Sequence, residues 1–497
     1  MLMLSKEEIL KSVPRKGFFG HPKGLFTLFF TEFWERFSYY GMRAILIFYM
    51  YYELHEGGLG LERGTANSIM AIYGSLVYMS GIVGGWVSDR IWGPRKTMFY
   101  GGILIMIGHI ILALPLALTG LLLSMAFIII GTGLLKTNVS SIVGEIYDEN
   151  DNRRDSGFSI FYMGINMGAF LAPFIVGTIG ETYSFHLGFG LAAVGMFIGL
   201  TIYTITQKKN LGLAGTQVPN PLNKAEKKKA MLNFAIIIVL VAIVLGGLYA
   251  AGNLTMGVFS TIITTLGVLI PTAFFILMYR SPKTTKDEKS RVLAYIPLFI
   301  AAVMFWAIQE QGATILATYA DTRTDLNVGE FELKASWFQS LNPLFIIMFA
   351  PVFAWLWMRL GQRQPSTPLK FSLALFFAGA SFLVMMIPSK LSGGTELVSP
   401  LWLVLSFFLV VIGELMLSPV GLSATTKLAP QAFASQTMAL WFLTSAAAQA
   451  INAQLVRLYE AVTEFAYFGM LGGLSMVLGL IILLLTPIIT KAMKGVK

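Results

Sequence analysis

The sequence predicts an all-α polytopic membrane protein with fourteen transmembrane helices, and three observations support this fold class. Of the 497 residues, 56% are hydrophobic and 12% are charged, whereas soluble domains carry about 25% charged residues. Apolar stretches of about 20 residues, the length that spans the hydrocarbon core as a helix, recur from Gly24 to Thr490. The connecting loops alternate between rich and poor in Lys and Arg. We therefore expect the chain to lie in a lipid bilayer.

The fourteen helices are expected where the apolar stretches lie. Residues 1–23 contain five Lys or Arg but no apolar run before Phe18, so we expect a retained first helix and no cleaved signal peptide. The predicted ranges are 24–52, 66–88, 97–117, 121–146, 157–180, 185–206, 231–251, 256–279, 292–317, 336–358, 371–389, 398–420, 434–456 and 467–490.

The basic residues orient these helices, because Lys and Arg accumulate in short cytoplasmic loops. With a cytoplasmic N-terminus, 28 of the 36 basic residues fall on the inside and five in outside loops. Both termini are therefore expected in the cytoplasm. The net charge of +10 follows from loops that face anionic lipid, and we expect no nucleic-acid partner. The absence of cysteine excludes disulfides and thiolate chemistry. The other three basic residues lie inside predicted helices: Arg36, Arg43 and Lys136.

A polar, Lys-rich segment with two prolines divides the chain at 207–230. Six predicted helices precede it; a helical pair, a second basic loop and six more helices follow. Two six-helix halves make up the major facilitator fold, whose substrate site lies between them near the bilayer midplane. The middle pair has neither Glu nor Lys in its apolar runs, so we expect it to be peripheral and lipid-facing. The expected organisation is a cytoplasmic segment 1–23, an N-terminal six-helix bundle 24–206, linkers with two extra helices 207–291, a C-terminal six-helix bundle 292–490 and a cytoplasmic tail 491–497.

The loop after the second helix has a spaced pattern of glycines and charges, G-x3-D-R-x2-G-x-R-K. It resembles the cytoplasmic loop motif of the facilitator superfamily, with one additional residue before the second glycine. The alternative is a basic inside loop without special meaning. We expect a structural, gating role for Asp89 and Arg90.

The first predicted helix carries charges that a lipid-facing helix would not. A charge at mid-bilayer costs about 2.5–3.5 kcal/mol, so intramembrane charge is retained mainly for function. At about 100° per residue, the five polar residues of this helix project within an arc of roughly 100°. They therefore form one wall of a polar cavity: Glu32, Glu35, Arg36, Tyr39 and Arg43.

Three further ionisable residues lie in other predicted helices: Lys136 in the fourth, Glu310 in the ninth and Glu414 in the twelfth. A base next to a carboxylate changes its proton affinity, so rearranging such pairs can couple proton binding to movement. The alternative is that these ions form fixed salt bridges between helices. Other polar residues are candidates for cavity lining, with packing as the alternative: Tyr78, Asn166, Asn342, Trp306, Trp441 and Ser445. We expect His109 to be structural.

The run from Glu32 to Gly41, EFWERFSYYG, resembles the ExxERFxYYG signature of the proton-dependent oligopeptide transporter family. Further similar segments are the Phe161-Tyr162 run in the fifth helix, Lys136-Thr-Asn138-Val in the fourth, and Trp306 with Glu310-Gln311-Gly312 in the ninth. The resemblance covers essentially the whole chain. It implies a bacterial member, because bacterial members carry two extra helices between the halves, and it places the chain in the inner membrane.

The resemblance also implies residue roles. Arg36, Arg43 and Lys136 would bind the carboxylate of a peptide, and Glu414 would face its amino group. The proton-coupling residues would be Glu32, Glu35, Arg36 and Glu310, with Arg43 and Glu310 pairing as a gate. The remaining pocket positions implied by the family are Tyr39, Tyr40, Tyr78, Asn166, Trp306, Asn342, Trp441 and Ser445.

Two positions depart from some family members: Gln309 replaces a second glutamate, and residues 66–88 contain no histidine. Proton coupling must therefore rest on carboxylates. The predicted function is proton-coupled import of di- and tripeptides by a monomer, with protons as coupling ion and no cofactor or metal. The alternatives are a same-family importer of nitrate or another small solute, and a channel. Neither an HExxH nor a GxSxG motif is present, so we expect no enzyme.

Overall fold

A computed structural model of the protein describes residues 5–148, 151 and 153–495. Residues 1–4 of the predicted N-terminal segment and 496–497 of the predicted tail lie outside it. The first half contains α1 (Lys6–Ser12), α2 (Gly24–Tyr51), α3 (Arg63–Val87), α4 (Pro94–Ala113), α5 (Ala117–Glu145), α6 (Arg154–Ala172), α7 (Thr178–Thr182) and α8 (Phe185–Leu211). The middle contains α9 (Lys224–Ala250) and α10 (Met256–Arg280).

The second half contains α11 (Lys286–Gln309), α12 (Ile315–Thr322), α13 (Leu341–Leu360), α14 (Thr367–Leu383), α15 (Met386–Leu391), α16 (Leu401–Leu428), α17 (Ala434–Ala461) and α18 (Glu464–Ala492). A two-stranded antiparallel hairpin, β1 (Asn327–Val328) and β2 (Phe331–Glu332), precedes α13. The predicted all-α class is confirmed, because this hairpin is a small addition to a helical chain.

Twelve helical segments of the described residues are long and apolar enough to cross a membrane. Two other long helices, α2 and α17, have 28 residues each and are not among them. α2 carries the charges predicted from the sequence, and α17 carries several amides. These two helices are polar where the other long helices are apolar.

Several helices begin earlier than their apolar stretches. At α9, Asn223 Oδ1 accepts from Glu226 N at 2.9 Å, and Asn223 N donates to Glu226 Oε2 at 3.0 Å. The same reciprocal cap joins Thr285 and Glu288 at α11. Such a cap satisfies backbone donors of the first turn, so a charged turn precedes the apolar part. The predicted starts at 231 and 292 followed hydrophobicity and therefore fell inside the helices.

One end of the helical bundle contains the start of the first long helix, α2, and the end of the last helix, α18. Gly24 at the start of α2 packs against Leu211 and Ile146, at the ends of α8 and α5. Ser290 Oγ at the start of α11 donates to Ala492 O at the end of α18, 2.8 Å away. We call this end the terminus face and the other end the opposite face.

Small residues allow close packing inside the first half. A Cβ added at Gly84 of α3 would collide with the carbonyl of Gly133 in α5. Close approach of helix backbones through small residues is a common packing mode in membranes.

α10 joins the bundle through Thr264 Oγ1, which donates to Ala450 O of α17 at 2.6 Å. Every residue of α9 is at least partly exposed, so α9 lies at the periphery.

The halves touch along α3 and α17 and at the opposite face. Ser75 Oγ of α3 donates to Ala446 O of α17 at 2.8 Å. At the opposite face, the hydroxyls of Tyr51 and Tyr52 each donate to the carboxylate of Asp321 at 2.6 Å. The opposite face therefore joins the first half to α12 of the second.

Candidate functional site

The charged residues of α2 form a buried ion cluster. Arg36 Nε lies 2.8 Å from Glu32 Oε1 and 2.7 Å from Glu35 Oε2. All three side chains are at most 4% exposed. Arg36 Nη2 has no hydrogen-bond partner among the described residues, so the guanidinium keeps a donor for another acceptor. The cluster therefore places two acids against one guanidinium within a single helix.

Two helical turns beyond Arg36 on α2, Arg43 connects the halves. Its Nη2 lies 2.6 Å from Glu310 Oε2. Glu310 also accepts from the hydroxyl of Tyr78 on α3 at 2.9 Å and from Nε2 of Gln449 on α17 at 2.8 Å. Elements from both halves thus converge on one buried carboxylate.

Glu310 sits where a long helix is interrupted. α11 ends at Gln309, a short 3-10 turn spans Glu310–Ala313, and α12 begins at Ile315. Thr314 between them has φ −124° and ψ −91°, outside the helical region. Interrupted helices place irregular backbone at cavities in transporters. Glu310 therefore lies at the break in the helix, where its carboxylate contacts α2 and α3.

Lys136 of α5 reaches the same area. Its Nζ lies 4.5 Å from the ring centre of Tyr78, whose hydroxyl binds Glu310. A cation over an aromatic face is attracted by the electrons of the ring. Tyr78 thus lies between Lys136 and Glu310, the partner of Arg43.

Glu414 of α16 forms a separate acidic position. Its Oε2 accepts from Asn342 Nδ2 at 2.9 Å and from Gln309 Nε2 at 3.5 Å. Both contacts are neutral amides, and no base pairs with Glu414 among the described residues. Gln309, which the sequence marked as a departure from family members, is therefore a direct partner of this acid.

A cavity of about 210 Å³ lies between the halves and brings these positions together. Eight of the predicted site residues line it: Tyr40, Arg43, Tyr78, Asn166, Trp306, Glu310, Asn342 and Glu414. The other predicted residues of the site are not among its lining: Glu32, Glu35, Arg36, Tyr39, Lys136, Trp441 and Ser445. Arg36 and Tyr39 are buried outside this lining, and the guanidinium carbon of Arg36 lies 6.0 Å from the Tyr39 ring centre.

Trp441 and Ser445 lie on α17 and are buried. A Cβ added at Gly421 of α16 would collide with the indole of Trp441, so this tryptophan packs directly against the α16 backbone. Trp306, by contrast, lines the cavity, and its buried Nε1 has no hydrogen-bond partner among the described residues. The two tryptophans thus occupy different surroundings.

The gating residues predicted in the loop after α3 contact the linker that follows α8. Arg90 Nη2 lies 3.0 Å from Glu226 Oε1 at the start of α9, and Asp89 O accepts from Asn220 N at 2.9 Å. An ion pair and a backbone hydrogen bond therefore connect this loop to the linker at the terminus face.

Sequence reasoning missed several residues of the site. Gln449 binds Glu310 directly, and Tyr162, Gln339 and Phe407 line the cavity. The signal for Gln449 was its place among the amides of α17, one turn before Asn452, which accepts from Gln311 Nε2 at 3.1 Å. No group of three metal-ligating side chains was found among the described residues.

A cavity between two helical halves, lined by both signs of charge and surrounded by long apolar helices, is typical of membrane transporters. The sequence pattern of the POT family matches residues 95–471. The uncharacterized transporter YclF of Bacillus subtilis (strain 168) is 62% identical over 496 residues and covers 100% of both chains. A di-/tripeptide transporter of Lactococcus lactis subsp. cremoris is 46% identical and covers 97% of this chain and 98% of its own.

A solved structure agrees: the crystal structure of peptide transporter POT in complex with sulfate has a TM-score of 0.96 and 64% identity, covering 99% of this chain and 100% of its own. The chain belongs to the POT family, as the sequence motifs indicated. It is a multi-pass membrane transporter and not an enzyme.

Proposed function

We propose that this chain imports di- and tripeptides together with protons by alternating access. The observation that carries the proposal is the opposed charge of one cavity: Arg43 of the first half and the amide-held Glu414 of the second. A peptide with free ends is a dipole of matching charges. Relatives named di-/tripeptide transporters, and a POT family transporter of 49% identity solved with a thioalcohol-conjugated peptide, support it.

The proposed binding roles follow from the charges. Arg36, Arg43 and Lys136 attract the peptide carboxylate, and Glu414 binds the amino group. Side chains between the ends bind the peptide backbone through Tyr39, Tyr40, Tyr78, Asn166, Trp306, Asn342, Trp441 and Ser445. Since few of these contacts reach the substrate's own side chains, we expect broad acceptance of different peptides.

Proton coupling is proposed to rest on Glu32, Glu35, Arg36 and Glu310. In the described arrangement Glu310 holds Arg43 by an ion pair of 2.6 Å. A proton on Glu310 would neutralise this partner and leave Arg43 to attract a carboxylate. Proton binding and peptide binding would then favour each other, while a separation of Arg43 from Glu310 would open the gate between the halves.

The proposed topology has fourteen spans, in two six-helix bundles (24–206 and 292–490) with α9 and α10 between them. α2 and α17 count as spans because 28 helical residues extend about 42 Å, more than the hydrocarbon core of about 30 Å. Their polar faces turn toward the other helices. The terminus face is proposed to be cytoplasmic in a bacterial inner membrane, and the transporter to act as a monomer.

Uptake by purified protein in liposomes tests the proposal. A labelled dipeptide should accumulate above equilibrium when the outside is acidic, and accumulation should stop when a proton ionophore collapses the gradient. Protein-free liposomes and nitrate as substrate provide the controls. Absence of gradient-driven dipeptide accumulation, or accumulation of nitrate instead, would contradict the proposal; ion currents far above carrier turnover would indicate a channel.

A further inference from the structure

A second cavity, of about 710 Å³, lies at the terminus face of the second half. The ends of four helices surround it: α13, α14, α16 and α18. It contains none of the residues of the transport site described above. Its lining combines apolar and basic side chains, including Trp357, Lys370, Val420, Lys427 and Met493.

Lys370 is an unusual member of this cavity because it is only 7% exposed. Its Nζ donates to Gln364 Oε1 at 2.7 Å and lies 4.2 Å from the ring centre of Trp357. Both partners are neutral, and among the ion pairs of the described residues none includes Lys370. Burying a cation without an anionic partner is costly. An anion in this cavity would offset that cost.

The other charged side chain of the cavity has the same sign. Lys427, near the end of α16, is a second lysine in the lining, and no described lining residue is acidic. The N-cap Ser366 of α14 makes no side-chain hydrogen bond to its helix. The first turn of a helix attracts anions through its N–H groups and dipole. Two lysines and one helix start thus line the same cavity.

The position of the cavity indicates where this anion comes from. Next to it on α13, Met358 is 76% exposed and Trp355 is 50% exposed, and Ile488 on α18 is 65% exposed. Large apolar side chains exposed near helix ends face lipid, and tryptophan is enriched at the level of the headgroups. Arg359 lies over the Trp355 ring at 5.1 Å, as a basic residue does at such an interface.

We propose that this cavity binds the phosphate headgroup of an anionic phospholipid. The phosphate lies between Lys370 and Lys427, and the lipid's apolar part lies along Trp357, Val420 and Met493. Basic pockets between transmembrane helices bind acidic headgroups by this chemistry. Because α13 and α16 also carry Asn342 and Glu414, a bound lipid would brace two helices of the transport site at their ends.

The test is lipid binding by the purified full chain in detergent, measured by native mass spectrometry and thermal unfolding. Dioleoylphosphatidylglycerol should bind and raise the melting temperature more than dioleoylphosphatidylcholine. Lys370→Gln and Lys427→Gln should each weaken phosphatidylglycerol binding by about fivefold, equivalent to about 1 kcal/mol per basic residue. Lys427→Gln lies at an exposed helix end, so it tests the site even if the buried substitution disturbs folding.

The matched control is Lys283→Gln, which removes the same charge from an exposed loop of the same face outside the cavity. It should bind phosphatidylglycerol as the unaltered chain does. Equal binding of both lipids, an equal loss in Lys283→Gln, or full binding by Lys427→Gln would overturn the proposal. A separate experiment adds inorganic phosphate without lipid. If phosphate alone raises the melting temperature as much as phosphatidylglycerol does, and competes with the lipid for the cavity, the ligand is a free anion and the lipid assignment is wrong.

Discussion

Glu310 and Glu414 line the same cavity, but the groups that hold them differ. Glu310 is bound by the guanidinium of Arg43, with a phenol and an amide completing its contacts. Glu414 is bound by two neutral amides. An acid with a fixed cation must exchange that partner in order to act, whereas an acid held by amides has no cation to displace before it binds the amino group of a substrate. This difference is the basis for the proposed roles, coupling for Glu310 and recognition for Glu414.

The strongest test of this contrast is Glu310→Gln. The substitution keeps the shape of the side chain but removes the proton-binding charge and the partner of Arg43. Gradient-driven uptake should be abolished, while exchange of labelled for unlabelled peptide should continue, because exchange requires no net proton movement. Gradient-driven uptake and counterflow, which reports exchange, are measured on the same liposomes, so that loss of proton coupling can be distinguished from loss of transport.

Glu35→Gln provides a companion to that experiment, since Glu35 is ion-paired with Arg36 within one helix. It should give the same separation if the α2 cluster takes part in coupling. Equal loss of uptake and exchange in both variants would show that these pairs only hold the helices together, and the contrast with Glu414 would then lose its meaning.

Glu414→Gln should give the next largest effect. Hydrogen bonds to charged groups contribute about 1.5–3 kcal/mol, so binding of peptides with a free amino terminus should weaken by roughly 10- to 100-fold. Binding of N-acetylated peptides should hardly change. Competition against a labelled dipeptide, with each unlabelled peptide in turn, measures the difference.

The reciprocal control for Glu414→Gln is Lys136→Ala, which should weaken peptides with a free carboxylate more than amidated ones. If Glu414→Gln weakens both N-terminal forms equally, Glu414 is structural. The two variants together therefore test the opposed ends of the cavity independently.

Whether a contact of the candidate site could be predicted from the sequence depended on how far apart its residues lie in the chain. The shared face of Glu32, Arg36 and Arg43 follows from helical periodicity, which is local, and the structure brings Arg36 to Glu32 across one turn. The family motifs named the partner of Arg43. By contrast, the contact between Gln449 and Glu310 joins residues far apart in the chain, and no local pattern encodes it.

The predicted helices were right in type but less so at their ends. Hydrophobicity identifies the part of a helix that meets lipid, whereas caps such as Asn223–Glu226 set where the helix starts. The attachment of Arg90 to Glu226 was missed for a related reason: both ends of that ion pair lie in polar segments, where apolar patterns carry no information.

The smallest expected effect concerns the neutral contacts of Glu310. Gln449→Leu removes one neutral hydrogen-bond donor to a carboxylate that keeps Arg43 and Tyr78. A loss of about 1–1.5 kcal/mol corresponds to a decrease in gradient-driven uptake of roughly five- to tenfold. The control is Gln454→Leu on the same helix, because Gln454 donates to Thr261 of α10 and does not line the cavity. If Gln449→Leu abolished coupling as completely as Glu310→Gln, the amide and not the guanidinium would hold Glu310 in its active arrangement, and the contrast between cation-held and amide-held acids would fail.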